Sequence, residues 1–230
     1  VFLYFNPYST INFNITILLI TLLGLMSDKN IFPNPLVRLI IQILILFNFV
    51  YFAELQISDV RIDLFNSFLS NNTFNIIFTV FCLAVLINGS NFLDGLNGLV
   101  SGYYLIVLLS IIYLINYDLN IVEIDFLKIV FFTLIIFYIF NILGFVYLGD
   151  SGSYLIAFII GIYLINLNEI NYLLSPYYIV SILWYPAFEN LFSLLRRILN
   201  RMNVSSADNM HLHQLLFLYI KSKKIFSKKI

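Results

Sequence analysis

Seven stretches of mostly apolar residues follow one another along the chain, and they restrict its fold more than any other feature. The stretches cover roughly residues 10–26, 35–53, 73–88, 98–116, 126–148, 153–168 and 175–195. A helix needs about 20 mostly apolar residues to cross the hydrocarbon of a bilayer. Over the chain, 61% of residues are hydrophobic and 10% are charged, whereas a soluble domain carries about 25% charged residues. The sequence therefore predicts a single all-α integral membrane domain over residues 1–230, a polytopic bundle of about seven spans.

The basic residues are divided unequally between the two ends of these spans. Of the 12 Lys and Arg residues, only Arg61 and Lys128 fall on one side. Cytoplasmic loops carry the excess of Lys and Arg in membrane proteins. The other side is therefore predicted to face the cytoplasm, and its loops are residues 27–34, 88–98, 147–153 and 196–216.

Four unusual polar clusters all lie on this predicted cytoplasmic side: SDKN, NGSNFLDGLNG, YLGDSGS and SSADNMHLHQ. Such convergence indicates a composite active site at the boundary between membrane and cytosol. In the second cluster Asn88, Asn91 and Asp94 recur at a spacing of three, which places them on one face of a helical turn. An aspartate beside hydrocarbon is costly and by default functional, although a plain polar loop is the alternative.

The remaining clusters leave more than one interpretation open. Asp150 lies between two glycines at a predicted helix start, where either an anion or Mg²⁺ site or a simple helix cap fits. Asp28 ends the first span and fits a helix stop as well as a functional site. His211 and His213 are the only histidines, which disfavours zinc and favours a role beside a phosphate.

Five motifs follow one another along the chain: SD, NGSNFLDGLNG, YLGDSGS, RR and ADNMHLH. In this order they resemble the motifs of the polyprenyl-phosphate N-acetylhexosamine-1-phosphate transferases, glycosyltransferase family 4. The resemblance runs from about Leu23 to Leu216. It implies a helical membrane bundle with a cytoplasmic cleft and a small β-hairpin on the outer side. Residues 55–64, LQISDVRIDL, alternate enough to form that hairpin.

The resemblance also implies a reaction, in which a sugar-1-phosphate moves from a UDP-sugar to undecaprenyl phosphate and UMP is released. The enzyme would be a Mg²⁺-dependent transferase, with Mn²⁺ as a substitute. By resemblance Asp28, Asp94 and Asp150 are catalytic, and Asp94 and Asp150 hold the metal. The implied substrate-binding residues are Asn88, Asn91, Asn97 and Tyr147 at the nucleotide and Arg196, His211 and His213 at the diphosphate. The expected location is the bacterial inner membrane, where the product starts a cell-envelope glycan such as O-antigen lipopolysaccharide. No nucleic acid partner is expected, and a homodimer is left open.

Departures from the family pattern leave alternatives. Ser27 stands where the family has a first aspartate, and Asn97 stands where it has a second aspartate after Asp94. The chain is also expected to lack the family's first spans and its C-terminal end, so a truncated, non-catalytic member is one alternative. A transferase for the pentapeptide-bearing peptidoglycan precursor is another, disfavoured because HLHQ is shorter than the histidine-rich motif of those relatives. A channel or transporter would place ionisable residues such as Glu189 at mid-membrane depth.

Overall fold

The described residues form a bundle of α-helices. The computed structural model describes residues 7–118, 124–170, 174–200 and 211–222. In these residues the helices are α1 Pro7–Asp28, α2 Pro35–Phe52, α3 Asp63–Leu69, α4 Asn72–Leu93, α5 Leu99–Asp118, α6 Ile124–Ile142, α7 Gly149–Ile170, α8 Pro176–Leu199 and α9 Leu212–Ser222.

Local sequence explains where several helices begin. Asn34 caps α2 by accepting the Leu36 N–H at 3.0 Å, and Pro35 occupies the first turn, where its missing N–H costs nothing. Asn71 caps α4 by accepting the Phe74 N–H at 3.1 Å. Side-chain caps of this kind satisfy N–H groups that have no partner inside the helix.

Five helices, α1, α2, α4, α7 and α8, are long and apolar enough to cross a membrane, so the chain is a multi-pass membrane protein. The prediction of seven spans is not supported within the described residues. The apolar parts described for α5 and α6 are shorter, Leu99–Leu114 and Phe126–Ile142. At α6 the prediction ran past the helix end. Gly144 has a φ of 75° and turns the chain, and the Phe145 N–H bonds the Phe140 carbonyl, as in a glycine-terminated helix.

The predicted outer β-hairpin at residues 55–64 is wrong, because this part of the chain contains no strand. It runs as an extended segment that leads into α3, and side chains bond its backbone. The Asn75 side chain accepts the Ile57 N–H at 3.0 Å and donates to the Ile57 carbonyl at 2.9 Å. Asn66 accepts the Val60 N–H at 3.0 Å. Since buried backbone groups need partners, these two asparagines replace the second strand of a hairpin.

The helix α4 lies at the centre and packs against α2, α7 and α8, while α1 packs against α2 and α7. Two glycines allow backbone-to-backbone contact in this core. A Cβ on Gly24 of α1 would lie 2.3 Å from the Ser151 Cα of α7, and one on Gly89 of α4 would lie 2.0 Å from the Pro186 carbonyl oxygen of α8. Small residues at such crossings are typical of membrane helices. They bring the polar ends of α1, α4, α7 and α8 together.

Candidate active site

The end of α1 is joined to the start of α7 by the side chain of Asp28. Its carboxylate accepts the Asp150 N–H at 2.8 Å and the Ser151 N–H at 3.3 Å. Asp28 therefore caps α7 from a distant part of the sequence, and the Asp150 carboxylate is left for other partners. Gly149 makes this approach feasible, since its φ is 65° and a Cβ there would lie 2.8 Å from an Asp28 oxygen.

The Asp150 carboxylate is the centre of a hydrogen-bond network. Arg38 of α2 donates to its Oδ2 at 3.1 Å, and Asn91 of α4 donates to its Oδ1 at 2.5 Å. Ser27 donates to Oδ2 and accepts from Arg38. Side chains from three helices, α1, α2 and α4, thus meet at the Asp150 carboxylate. Ser27, which stands where the family has an aspartate, is an uncharged link between Arg38 and Asp150.

Asp94 forms the C-terminal cap of α4 and lies beside the same group. Burial raises the pKa of Asp94 to about 7, the carboxylates of Asp150 and Asp28 add to this, and a hydrogen bond with the Gly149 backbone opposes it. Three acidic side chains therefore lie close together, and Arg38 forms an ion pair with one of them, Asp150. The surplus of negative charge is what a cation would relieve.

The carboxylates of this cluster could hold Mg²⁺ together with water and substrate phosphates. Within the described ranges, no three His, Cys, Asp or Glu side chains are arranged to hold a metal ion by themselves. Mg²⁺ is commonly held by one or two carboxylates and completes its shell with water and substrate phosphates. Asp94 and Asp150 would supply those carboxylates, and the metal would share the Asp150 oxygens with Arg38 and Asn91. The Asp28 oxygens accept from the backbone of α7.

A cavity of about 850 Å³ opens beside this cluster between α2, α4 and α8. Along α4 and its C-cap the lining runs from Ile77 to Asp94, which is about 25 Å of helix. One part of the lining is polar, formed by Arg38, Asn88, Asn91, Asp94, Arg197 and His211. The part farther along α2 and α4 from this polar end is apolar, formed by residues such as Ile43, Phe47, Ile77, Val80 and Phe81. The cavity is therefore amphipathic along its length.

Asn88 lines this cavity and is held in place by a polar contact inside the bundle. Its Nδ2 donates to the Gln42 side chain at 2.7 Å and to the Ala84 carbonyl at 2.8 Å. Gln42 is buried on α2. This pair fixes the orientation of the Asn88 amide, so its oxygen is left for a ligand.

The two histidines lie together although their spacing of two fits one helix face poorly. His211 precedes α9 and His213 lies in its first turn, and their rings stack with centroids 5.7 Å apart at an angle of 3°. His211 also stacks on Phe92 at 5.1 Å and lines the cavity. His213 is buried but does not line the cavity. Burial and the neighbouring His211 lower the pKa of His213, while Glu189 opposes this.

Four of the residues predicted to bind substrate do not line the cavity, namely His213, Asn97, Tyr147 and Arg196. Asn97 is exposed, and Tyr147 is 76% exposed. Arg196 lies over the Phe192 ring, whereas Arg197 is buried and lines the cavity. Residues 201–210 of the predicted loop 196–216 lie outside the described residues.

Sequence reasoning missed several residues of this site, and each had a recognisable signal. Arg38 was counted only as a basic residue on the cytoplasmic side, although it lies one turn into α2, close to Asp28 in sequence. Arg197 shares a helix face with Glu189 and Ser193 at spacings of four, which a helical-phase argument could have found. Glu189 was considered only under the channel or transporter alternative, although an acidic residue in an apolar segment is a signal of function by itself.

Comparison with known proteins identifies the family of the chain. The family model described as Glycosyl transferase family 4 matches residues 10–168. A Bacillus subtilis (strain 168) protein, the "Probable undecaprenyl-phosphate N-acetylglucosaminyl 1-phosphate transferase", is 29% identical over 151 residues, 61% of this chain and 40% of the relative. The chain thus matches less than half the length of this relative. The family model, which covers most of the chain and includes Asp28, Asp94 and Asp150, shows that the chain belongs to glycosyl transferase family 4.

Proposed function

We propose that the protein transfers an N-acetylhexosamine-1-phosphate from a UDP-sugar to undecaprenyl phosphate and releases UMP. The observation that carries the proposal is the single cavity, polar at one end and apolar at the other. A phosphorylated isoprenoid requires both kinds of surface in one site. The Bacillus subtilis relative, whose printed name gives this acceptor and N-acetylglucosamine, supports the choice of substrates. We place the reaction at the cytoplasmic face of a bacterial inner membrane, at the start of a cell-envelope glycan.

The apolar half of the cavity suits the isoprenoid chain. Phe47 of α2 and Phe81 of α4 line it within helices that are apolar enough to lie in a membrane. Burying an isoprenoid there contributes about 25 cal/mol for each Å² of apolar surface removed from water. Arg38 lies on α2 at the polar end of the same row of lining residues, where it can meet the lipid phosphate with a planar pair of N–H donors.

The chemistry requires two anionic phosphates to approach each other. An oxygen of the lipid phosphate attacks the phosphorus that carries the sugar, and the bond from that phosphorus to the UMP oxygen breaks. The second pKa of a phosphate monoester is about 6, so the nucleophile is mostly a dianion at neutral pH and needs no strong base. Arg38, Arg197 and His211 supply positive charge where negative charge gathers.

The acidic residues then have separate roles. Mg²⁺ held by Asp94 and Asp150 with the substrate phosphates would screen their charge. Asp28 was predicted to be catalytic. We assign it instead to holding the first turn of α7, because its carboxylate accepts two N–H groups there. Ser27 removes one negative charge from the approach of the phosphates.

The test is a transfer assay in membranes that contain the protein. Undecaprenyl phosphate, Mg²⁺ and a panel of UDP-sugars are supplied, and UMP release is measured. UMP should appear with a UDP-N-acetylhexosamine, only when the lipid is present, and should disappear with Asp150→Asn or EDTA. Release with UDP-N-acetylmuramoyl-pentapeptide alone would favour the peptidoglycan reaction. No release with any donor from a folded protein would reject the proposal and favour a non-catalytic member.

The assignment of the apolar half has its own test. Ala84 lines the cavity and is 8% exposed, so Ala84→Leu should narrow the channel for the isoprenoid. We expect the KM for undecaprenyl phosphate to rise several-fold while the KM for the UDP-sugar stays unchanged. Ile106→Phe is the control, because Ile106 is exposed on α5 and does not line the cavity. An equal change in both KM values would contradict the assignment.

A further inference from the structure

Glu189 is a buried carboxylate within α8 that has no part in the reaction described above. It is 2% exposed and lies in a helix apolar enough to cross a membrane. An acidic side chain in such a place is stable only with good partners. Its two oxygens have separate partners on the segment that begins α9. One oxygen lies 3.1 Å from His211 Nδ1, and the other accepts the Leu212 N–H at 2.7 Å.

The contact determines which nitrogen of His211 carries a proton. An ionised carboxylate only accepts hydrogen bonds, so His211 Nδ1 must be the donor. Nε2 lies on the opposite edge of the ring and is the nitrogen left for a ligand. The His211 ring stacks on Phe92 and on His213, and His211 lines the cavity that Glu189 does not line. The orientation of the imidazole is therefore set by three neighbours.

We propose that Glu189 is a positioning residue, which keeps His211 in the Nδ1–H form and presents its Nε2 to an anionic phosphate oxygen of the substrate. The inference rests on the proposed function for the identity of that oxygen. When a phosphate occupies the cavity, only the doubly protonated ring can donate to both neighbours, through Nδ1–H to Glu189 and through Nε2–H to the phosphate. Carboxylates orient the histidines of metal sites by the same rule, through the nitrogen that faces away from the ligand.

A purely structural role for Glu189 makes a different prediction. Its contact with the Leu212 N–H caps the start of α9, and a glutamine could keep that cap through its side-chain oxygen. The amide nitrogen of Glu189→Gln would then donate to His211 Nδ1 and reverse the polarity of the contact. The proton of a neutral His211 would move to Nε2. Size and packing are almost unchanged in this variant, while the tautomer of His211 is inverted.

The chain has two histidines, so ¹⁵N-histidine labelling of the detergent-solubilised protein gives a spectrum of two rings. His213→Gln assigns them. We expect Nδ1 of His211 to be protonated in the wild type and unprotonated in Glu189→Gln. Ser193→Ala is the matched control: Ser193 Oγ lies 3.3 Å from the same Nδ1, and the variant should keep Nδ1–H because Glu189 remains. An unprotonated Nδ1 in the wild type, or the same tautomer in Glu189→Gln, would overturn the proposal.

Activity provides the second measurement. Loss of a charge-assisted hydrogen bond should lower kcat/KM for the UDP-sugar by about 10- to 100-fold in Glu189→Gln, and Ser193→Ala should change it much less. A Glu189→Gln protein with wild-type kcat/KM would reject the positioning role even if the tautomer changes. The proposed reaction and the proposed role of Glu189 can be rejected independently. A wild-type protein that releases no UMP but has a protonated His211 Nδ1 rejects the transferase reaction. A wild type that releases UMP but lacks Nδ1–H rejects the role of Glu189.

Discussion

Gly24→Ala should damage the site although Gly24 itself lies outside the cavity. A Cβ on Gly24 would lie 2.3 Å from the Ser151 Cα, 2.6 Å from the Ser151 nitrogen and 2.9 Å from the Asp150 carbonyl carbon. Carbon atoms pack at about 3.5–4.0 Å, and backbone atoms cannot rotate away. The start of α7 must therefore retreat from α1 by roughly 1 Å or more, and the hydrogen bonds from α7 to Asp28 would exceed the usual distance.

That displacement should reduce both the stability of the protein and the rate of the reaction. Overpacking of a tight core costs about 1–3 kcal/mol, which lowers the melting temperature by about 2–4 °C per kcal/mol for a chain of this size. Displacement of a reacting group by about 1 Å can cost roughly 100-fold in rate. Activity should therefore fall far more than stability does.

The measurements are UMP release and thermal unfolding in detergent, followed by a maleimide dye that reacts with Cys82, the single cysteine. Gly161→Ala is the matched control on α7, because its Cβ would meet only methyl groups of Leu83 and Leu86, and these side chains can adjust. Gly24→Ala with wild-type activity and melting temperature, or an equal loss in Gly161→Ala, would refute this account of how α1 positions Asp150.

Three further predictions concern the charged network. Arg38→Gln should lower kcat/KM for undecaprenyl phosphate by about 100-fold. Arg38→Lys should recover part of this loss, because lysine restores the positive charge but not the planar pair of N–H donors. Equal rates for the Gln and Lys variants would contradict a role of the charge. Ser27→Ala should change turnover less than about tenfold, about 1.4 kcal/mol in barrier, because Arg38 still donates directly to Asp150; a gain of activity on Ser27→Asp would show that the carboxylate is needed. Asp94 has a folded-state pKa of about 7, above the usual value near 4, so the stability contributed by its protonated form is lost as pH rises through 7. The wild type should lose roughly 1 kcal/mol between pH 6 and 8 relative to Asp94→Asn, and a melting temperature with the same pH dependence in both proteins would reject the raised pKa.

The general architecture could be predicted from the sequence, because membrane insertion depends on the summed hydropathy of a local stretch. Five apolar stretches are confirmed as helices of sufficient length, and the polar clusters of α1, α4 and α7 meet at one end as expected. The span prediction failed where local signals were incomplete: the turn at Gly144 ends α6 early. Likewise, alternating residues at 55–64 predicted a hairpin, but side chains of Asn66 and Asn75 bond that backbone instead.

What the sequence by itself determined is the set of residues near the site, namely Asp28, Asn88, Asn91, Asp94, Asp150 and His211. Only the tertiary structure decided their partners: Asp28 caps α7, Asp150 pairs with Arg38, and Glu189 holds His211. It also decided that Arg197 lines the cavity while Arg196 and Tyr147 do not. The physical reason is the separation along the sequence over which each interaction acts. Hydropathy and helix caps act over a few residues, but a buried charge takes its partner from whichever helix packs against it, and here those partners lie up to 123 residues away in sequence.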